Sequence, residues 1–424
     1  MDSRRGVSGP RARSFCWVLA TCIQLLLLVE LSQGRKLQQS SRQRRLQPYT
    51  DSTNTARHGP AVKSFQVSDG SWVDCVPIEQ QIAAHHPALK EHIIRMSPSS
   101  YLNLQQNHVK PRSSGLHPQS FAREHGGCPE GCIPVQRRDP KQPLLRKYQT
   151  PTLSGQGTPH EYAVVGMPSS KGAYQGSGAV LSVNAPVIGD PASEFSLSQL
   201  WVVAGQYDNN SLNTAEVGWQ VYPSQHPSDN PLAPHLFVYW TADAYKSTGC
   251  YNLGCAGFVQ TNNNWVLGGT LSPYTTLDAH ANNEDEISLV VLYDSTIPGW
   301  WLSISDTTIG YWPSSLYTTL QASADLLQWG GEIFPSATTV GHTTTAMGSG
   351  AFPIEGYPVT AYQRNVTYAN SPNTFFDATL EIQGVTNANC YNSSIEQGDF
   401  GSSWGSYFFF GGPGGGNAAC VKQN

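Results

Sequence analysis

The texture of the chain after His160 most constrains its fold: short β-branched and aromatic runs, cut at close intervals by Gly, Pro, Asn and Asp. YAVVGM, SQLWVVAGQY, HLFVYWTAD, ISLVVLYD and GWWLSISD are each long enough for one strand and too short for a core helix. Many such strands joined by tight turns predict a mainly β domain, an antiparallel sandwich or barrel. Plentiful Gly (40), Trp (11) and Tyr (19), with charged residues at only 13%, agree with this and disfavour a helical or disordered chain. Convincing helical periodicity is expected only around SSLYTTLQASADLLQWG (Ser314–Gly330), and even there a strand could claim the end.

The first third reads differently. Arg4, Arg5, Arg11 and Arg13 precede the apolar run Phe15–Leu31, and Ser32-Gln33-Gly34 follows, the pattern of a secretory signal over residues 1–34. No later run reaches the roughly 18 apolar residues that a membrane span needs. The expectation is a secreted protein, extracellular, in the cell wall or vacuolar, with no membrane association once processed. Residues 35–69 read as a basic linker, 70–157 as a small mixed α/β domain with an amphipathic stretch around Ile82–Leu89, and 158–424 as the β-rich domain.

Charge divides along the same line. Residues 1–150 hold 21 Lys and Arg against 10 Asp and Glu (+11), and the rest hold 4 against 20 (−16). A basic leader before an acidic body suits nucleic acid or its own neighbour. Without a basic repeat interleaved with aromatics, the second reading is favoured and no nucleic-acid partner is expected. Seven Cys remain after the signal; Cys250–Cys255 and Cys390–Cys420 are the expected disulfides, with pairing among Cys75, Cys128 and Cys132 left open. Sequons at Asn209, Asn365 and Asn392 predict glycans.

The common catalytic signatures are missing: no G-x-S-x-G, H-E-x-x-H, P-loop or aspartic Asp-Thr/Ser-Gly occurs. The five His after residue 150 lack ligand spacing, so neither metal nor cofactor is expected. What stands out is two acids in aromatic, glycine-rich strands: Glu216 in NTAEVGWQV and Glu332 in LLQWGGEIF. Any lone strand Glu most often faces solvent, but an inward one is costly without a purpose.

The blocks DCVPIEQQIAAHHPALKEHIIRMSPSSY (Asp74–Tyr101), CPEGCIPVQRRDP (Cys128–Pro140), EFSLSQLWV, NTAEVGWQV, YWTADAYKSTGCYNLGCAGFVQT, GYWPSSLY, QWGGEIF, HTTTAMGSGAFP and YFFFGGPGG occur in that order. Through them the chain resembles the neprosin family of plant secreted proteins over roughly residues 70–424. The resemblance implies an antiparallel β-sandwich made as a zymogen, a glutamic peptidase that cuts after proline, with its catalytic pair at Glu216 and Glu332. Cys132 departs from the family's usual Thr, and Gln328 from an acid often found there. On this reading two neighbouring carboxylates share a proton, one activating water and the other assisting the leaving group. Gln199 is a candidate oxyanion donor, and Trp219, Tyr239, Trp240 and Trp329 are candidate walls for a proline ring. Proline-containing peptides or proteins would be substrates and the monomeric chain's own leader its inhibitor, released in acid as His85, His86, His92, His108, His117 and His125 gain charge and cut within residues 128–160. The competing readings are a two-carboxylate glycosidase and a non-catalytic cell-wall or carbohydrate-binding protein.

Overall fold

The computed structural model describes residues 44–51, 56–100, 117–138, 160–168, 172–276, 285–335, 342–371, 374–396 and 404–421. The expected signal segment, His108 and residues 139–159 of the expected processing region lie outside them. Residues 46–424 form one compact unit; Met1–Arg45 form another, of which only Arg44 and Arg45 are described. Among the described residues no helix is long and apolar enough to cross a membrane.

The leader holds a three-stranded antiparallel sheet with β2 (Trp72–Pro77) between β1 (Lys63–Gln66) and β3 (Cys132–Gln136). Strand β1 lies inside the stretch read as a linker, and Leu46 is buried still earlier. A few apolar side chains in that basic run suffice to anchor it, so the folded leader starts well before residue 70. Ile82–Leu89 forms two 3-10 turns, Ile82–His85 and Pro87–Leu89, instead of one amphipathic helix. Pro87 lacks the N–H that would continue a helix and keeps His86 extended. One short helix, α1 (Ser120–His125), stops on Gly126 at φ +71°. A disulfide joins Cys75 on β2 to Cys128.

The body is the expected antiparallel β-sandwich. Its strands are β4 (Glu161–Gly166), β5 (Gly176–Ser182), β6 (Phe195–Ala204), β7 (Asn213–Val221), β8 (His235–Thr241), β9 (Val259–Gln260), β10 (Glu286–Asp294), β11 (Gly299–Ile304), β12 (Thr307–Pro313), β13 (Leu326–Phe334), β14 (Tyr362–Ser371), β15 (Thr374–Asp377), β16 (Glu381–Val385), β17 (Asn392–Glu396) and β18 (Tyr407–Gly411). One sheet runs β8-β7-β6-β13-β4-β16; the other runs β9-β12-β11-β10-β5-β14-β18-β17, with β15 on β14. Alternate residues of the first sheet, among them Leu200, Val202, Val217, Trp219, Leu327 and Trp329, meet Leu181, Leu289, Val291 and Trp301 of the second in one continuous core. Each such fully buried apolar side chain contributes about 1.5–3 kcal/mol. Disulfides join Cys250 to Cys255 and Cys390 to Cys420.

Two sequence expectations fail here. Ser314–Gly330 is not a helix: only Ser314–Leu316 makes a 3-10 turn, and the end, left open to a strand, is the start of β13 from Leu326. The backbone N–H groups of Thr318, Thr319 and Leu320 donate to Asn213 Oδ1 (2.7, 2.9 and 3.4 Å), so a side chain takes the donors a helix would use. Asn365 is 4% exposed, too buried to carry a glycan, whereas Asn209 lies on an exposed turn and Asn392 is partly exposed.

Candidate active site

Strand β6 lies between β7 and β13, and its register sets the site. On the face turned away from the core, Glu216 is opposite Trp201 and Glu332 opposite Leu197, while Gly218 and Gly330 both flank Gln199. A Cβ on Gly218 would lie 2.0 Å from Ser198 O, and one on Gly330 (φ +150°) 2.2 Å from Ala163 O. Only glycine fits at either place, and the pair leaves a floor with Gln199 at its centre. Glu216 stands on one side of this trough and Glu332 on the other. With one strand between them and four residues of stagger along β6, their backbones are about 16 Å apart by ideal sheet spacing. Their side chains rise from the same face of the sheet, one from each side of the trough.

Each has its own donors. Glu332 receives His160 Nδ1–H on Oε1 and the Gln199 amide on Oε2 at 3.3 Å. The Tyr162 hydroxyl also bonds it. Glu216 Oε1 receives the Thr214 hydroxyl at 2.8 Å and the Tyr245 hydroxyl at 2.6 Å. Both acids are fully buried. Burial, and then the fields of Glu332 and Glu216, raise the Tyr162 and Tyr251 hydroxyls well above the usual tyrosine range, so both stay protonated and both face the same trough. Among the described residues His160 Nε2, Gln199 Oε1 and the Tyr251 hydroxyl have no hydrogen-bond partner. Buried polar atoms of this kind want water or a ligand.

The aromatic wall differs from the expected one. Tyr239 does share the glutamates' face, in a cluster with Phe195, Tyr222, Phe237, Tyr251 and Phe334. Trp219, Trp240 and Trp329 point the other way, into the main core. Strand alternation dictates this: Trp219 is three residues after Glu216 and Trp329 three before Glu332, so each takes the opposite face. From the second sheet Gln363 reaches under the trough, donating to Ser198 Oγ (2.9 Å) and Gln199 O (3.2 Å).

The described leader docks elsewhere, over the flank formed by β8, β9 and β12. Gln81 donates to Gln260 O (3.1 Å) and accepts from Gln260 N–H (2.9 Å). Gln119 does the same on Val266, with 2.8 Å in each direction. Cys128 and Asn263 exchange two further bonds. Ile78, Leu89 and Ile133 join the main core. Histidines complete the contact: His58 on Leu253 O (3.0 Å), His92 on the Tyr311 hydroxyl (2.6 Å) and His117 against the Trp265 ring. Burial lowers all three to about 4 and lowers His86 as well. Near the end of β3, Gln136 donates to Asp229 in a buried group with His226 and His235. These residues carry metal-ligand chemistry, but both ring nitrogens of His235 face carbonyl oxygens, Gly268 at 2.9 Å and Asn230 at 3.2 Å. The Arg57–Asp51 and Arg137–Asp74 pairs form within the leader.

Fold and site together define a β-sandwich protein with two opposed, buried glutamates and a docked N-terminal leader. Family comparison agrees: the Neprosin model matches residues 192–413 and the Neprosin activation peptide model residues 64–166. The chain belongs to the neprosin family. The activation-peptide match runs through β4, so His160 and Tyr162 fall inside it although they face the trough. Solved structures overlay only loosely. Scytalido-glutamic peptidase with a peptide-based transition-state analogue gives 10% identity over 59% of this chain and 96% of that one, at a TM-score of 0.32. SCP-B, a member of the Eqolisin family of peptidases, with the tripeptide Ala-Ile-His, gives 9% identity over 59% and 96%, at 0.29.

Proposed function

We propose that this protein is a secreted glutamic endopeptidase, made as a zymogen and cutting peptide bonds after proline, with water activated between Glu216 and Glu332. The observation that carries this reading is the glycine-floored trough with a buried carboxylate on each side. A peptide laid across the floor brings its carbonyl between the two acids. The ionised carboxylate takes a proton from water as the water attacks; the protonated one polarises the carbonyl and then donates to the leaving nitrogen. The Gln199 amide, on a strand whose backbone Gln363 holds from below, is a neutral donor to the developing oxyanion. The Tyr239 and Tyr251 rings offer an apolar surface suited to a proline ring.

The leader is the expected intramolecular partner. Its docked histidines support release in acid: a pKa held below the ordinary 6.5 stabilises the docked form fully above that value, and this stability is lost as pH falls toward about 4.

The test uses the secreted full chain, incubated at acid and neutral pH and then offered a proline-containing reporter peptide, beside Glu216→Gln and Glu332→Gln. Cleavage after proline only by the acid-treated parent is expected. Cleavage that survives either substitution removes the two-glutamate mechanism. An inert parent that binds polysaccharide replaces the enzyme reading with a carbohydrate-binding one.

A further inference from the structure

We propose that His160 is a positioning residue for Glu332, and that the functional enzyme must retain it when the leader is cut away. This rests on the reading of Glu332 as a reacting carboxylate. His160 immediately precedes β4, and strand alternation places it with Tyr162 on the trough face, since Tyr162 is the register partner of Glu332. Its side chain is 2% exposed. Phe334 and Phe195 close around the ring with centroids at 5.0 and 5.9 Å, and Tyr162 stacks on it at 6.2 Å.

Inside this box Nδ1 donates to Glu332 Oε1. The bond places the ring proton on Nδ1 and fixes the carboxylate's rotation, leaving Oε2, which also meets the Gln199 amide, toward the trough. The groups facing the pair are Tyr162, Gln199, Tyr251 and, across the floor, Glu216. Glu161 points away and pairs with His342 at 2.8 Å. A side chain set this way is a device for orientation: without it Glu332 can swing out of line with the attacking water.

Two substitutions in the full chain separate orientation from packing. His160→Phe keeps the aromatic filling and removes the donor; His160→Asn loses the ring and returns an amide N–H close to the Nδ1 position. After acid treatment, with a proline-containing reporter peptide, the Phe variant is expected to lose about 10²-fold in kcat/KM, carried by kcat. The Asn variant should recover most of that loss with a displaced acid limb of the pH profile. A packing role predicts the reverse order; a Phe variant as active as the parent, or an Asn variant no better than Phe, overturns the proposal. If Glu332→Gln still cleaves, the mechanism itself fails, and that result is read separately. A measurement independent of His160 variants is the ¹⁵N imidazole spectrum of the intact protein. The Nδ1-bound proton should disappear or shift strongly in Glu332→Gln, and an unchanged signal overturns the proposal even if both His160 variants fail to fold.

Discussion

The leader interface and the glutamate face are both buried and both polar, yet they use their polar groups differently. At the interface each docking amide answers both backbone groups of one partner residue: Gln81 those of Gln260, and Gln119 those of Val266. On the glutamate face, the Gln199 carbonyl, one nitrogen of His160 and the Tyr251 hydroxyl lack partners among the described residues. Two atoms at the interface, His117 Nε2 and Gln260 Oε1, lack partners as well; there the paired amides hold two surfaces together, while open polar atoms beside two carboxylates are a place for a third molecule. Among the described residues the +11 leader and −16 body meet through amides, apolar side chains and imidazoles whose pKa burial lowers.

The comparison breaks most sharply at the acids. Glu216→Gln or Glu332→Gln should lower kcat/KM on a proline-containing peptide by about 10³-fold while leaving thermal unfolding near that of the parent, because the isostere keeps the packing. Wild-type rates would put these glutamates on the structural side of the contrast. Next in size, Gln81→Ala or Gln119→Ala strands a buried N–H and C=O and should loosen the docked leader by about 1–3 kcal/mol. Hydrogen exchange at the Gln260 and Val266 amides at neutral pH reads this directly; exchange like the parent's would mean that the amide pairs do not hold the interface.

A smaller effect is the pH dependence of the same exchange. Opening should rise between pH 6.5 and about 4, as His58, His92 and His117 take up the protons that docking excludes. Asp229, pushed up to about 6 by burial, works against this, since protonation relieves its cost. His58→Asn should flatten the curve, and an unchanged curve would take this histidine out of the pH response. Smallest of all, Asn209→Gln should remove glycan mass from the secreted protein and Asn365→Gln should leave the mass unaltered; loss of glycan at Asn365 would mean that this buried asparagine is exposed during folding.

The sandwich was legible because period-2 runs between turn residues state a strand almost directly, and Glu216 and Glu332 stood out because acids are rare in such runs. Alternation would also have sent Trp219 and Trp329 to the far face, had the three-residue offset been applied. His160 was not legible in this way. Its partner lies 172 positions away, and nothing local distinguishes a His at a strand start from any other. Asn213 and Gln363 escaped for the same reason: a buried amide is recognised by what it bonds, and their partners come from a distant loop or the other sheet.

The Cys75–Cys128 bridge closes a loop of 53 residues wholly within the leader, and the other two disulfides lie wholly within the body. A cut in residues 139–159 therefore yields two pieces that none of these three bonds links. The detached piece keeps its own cross-link, and with it the strand that leads to Gln81 stays tied to the turn that clasps Asn263. An inhibitor that leaves whole can return whole. Activity would then behave as a reversible equilibrium set by acidity and by the local concentration of spent leader, and neutralising the surroundings would reseat it on the same amides.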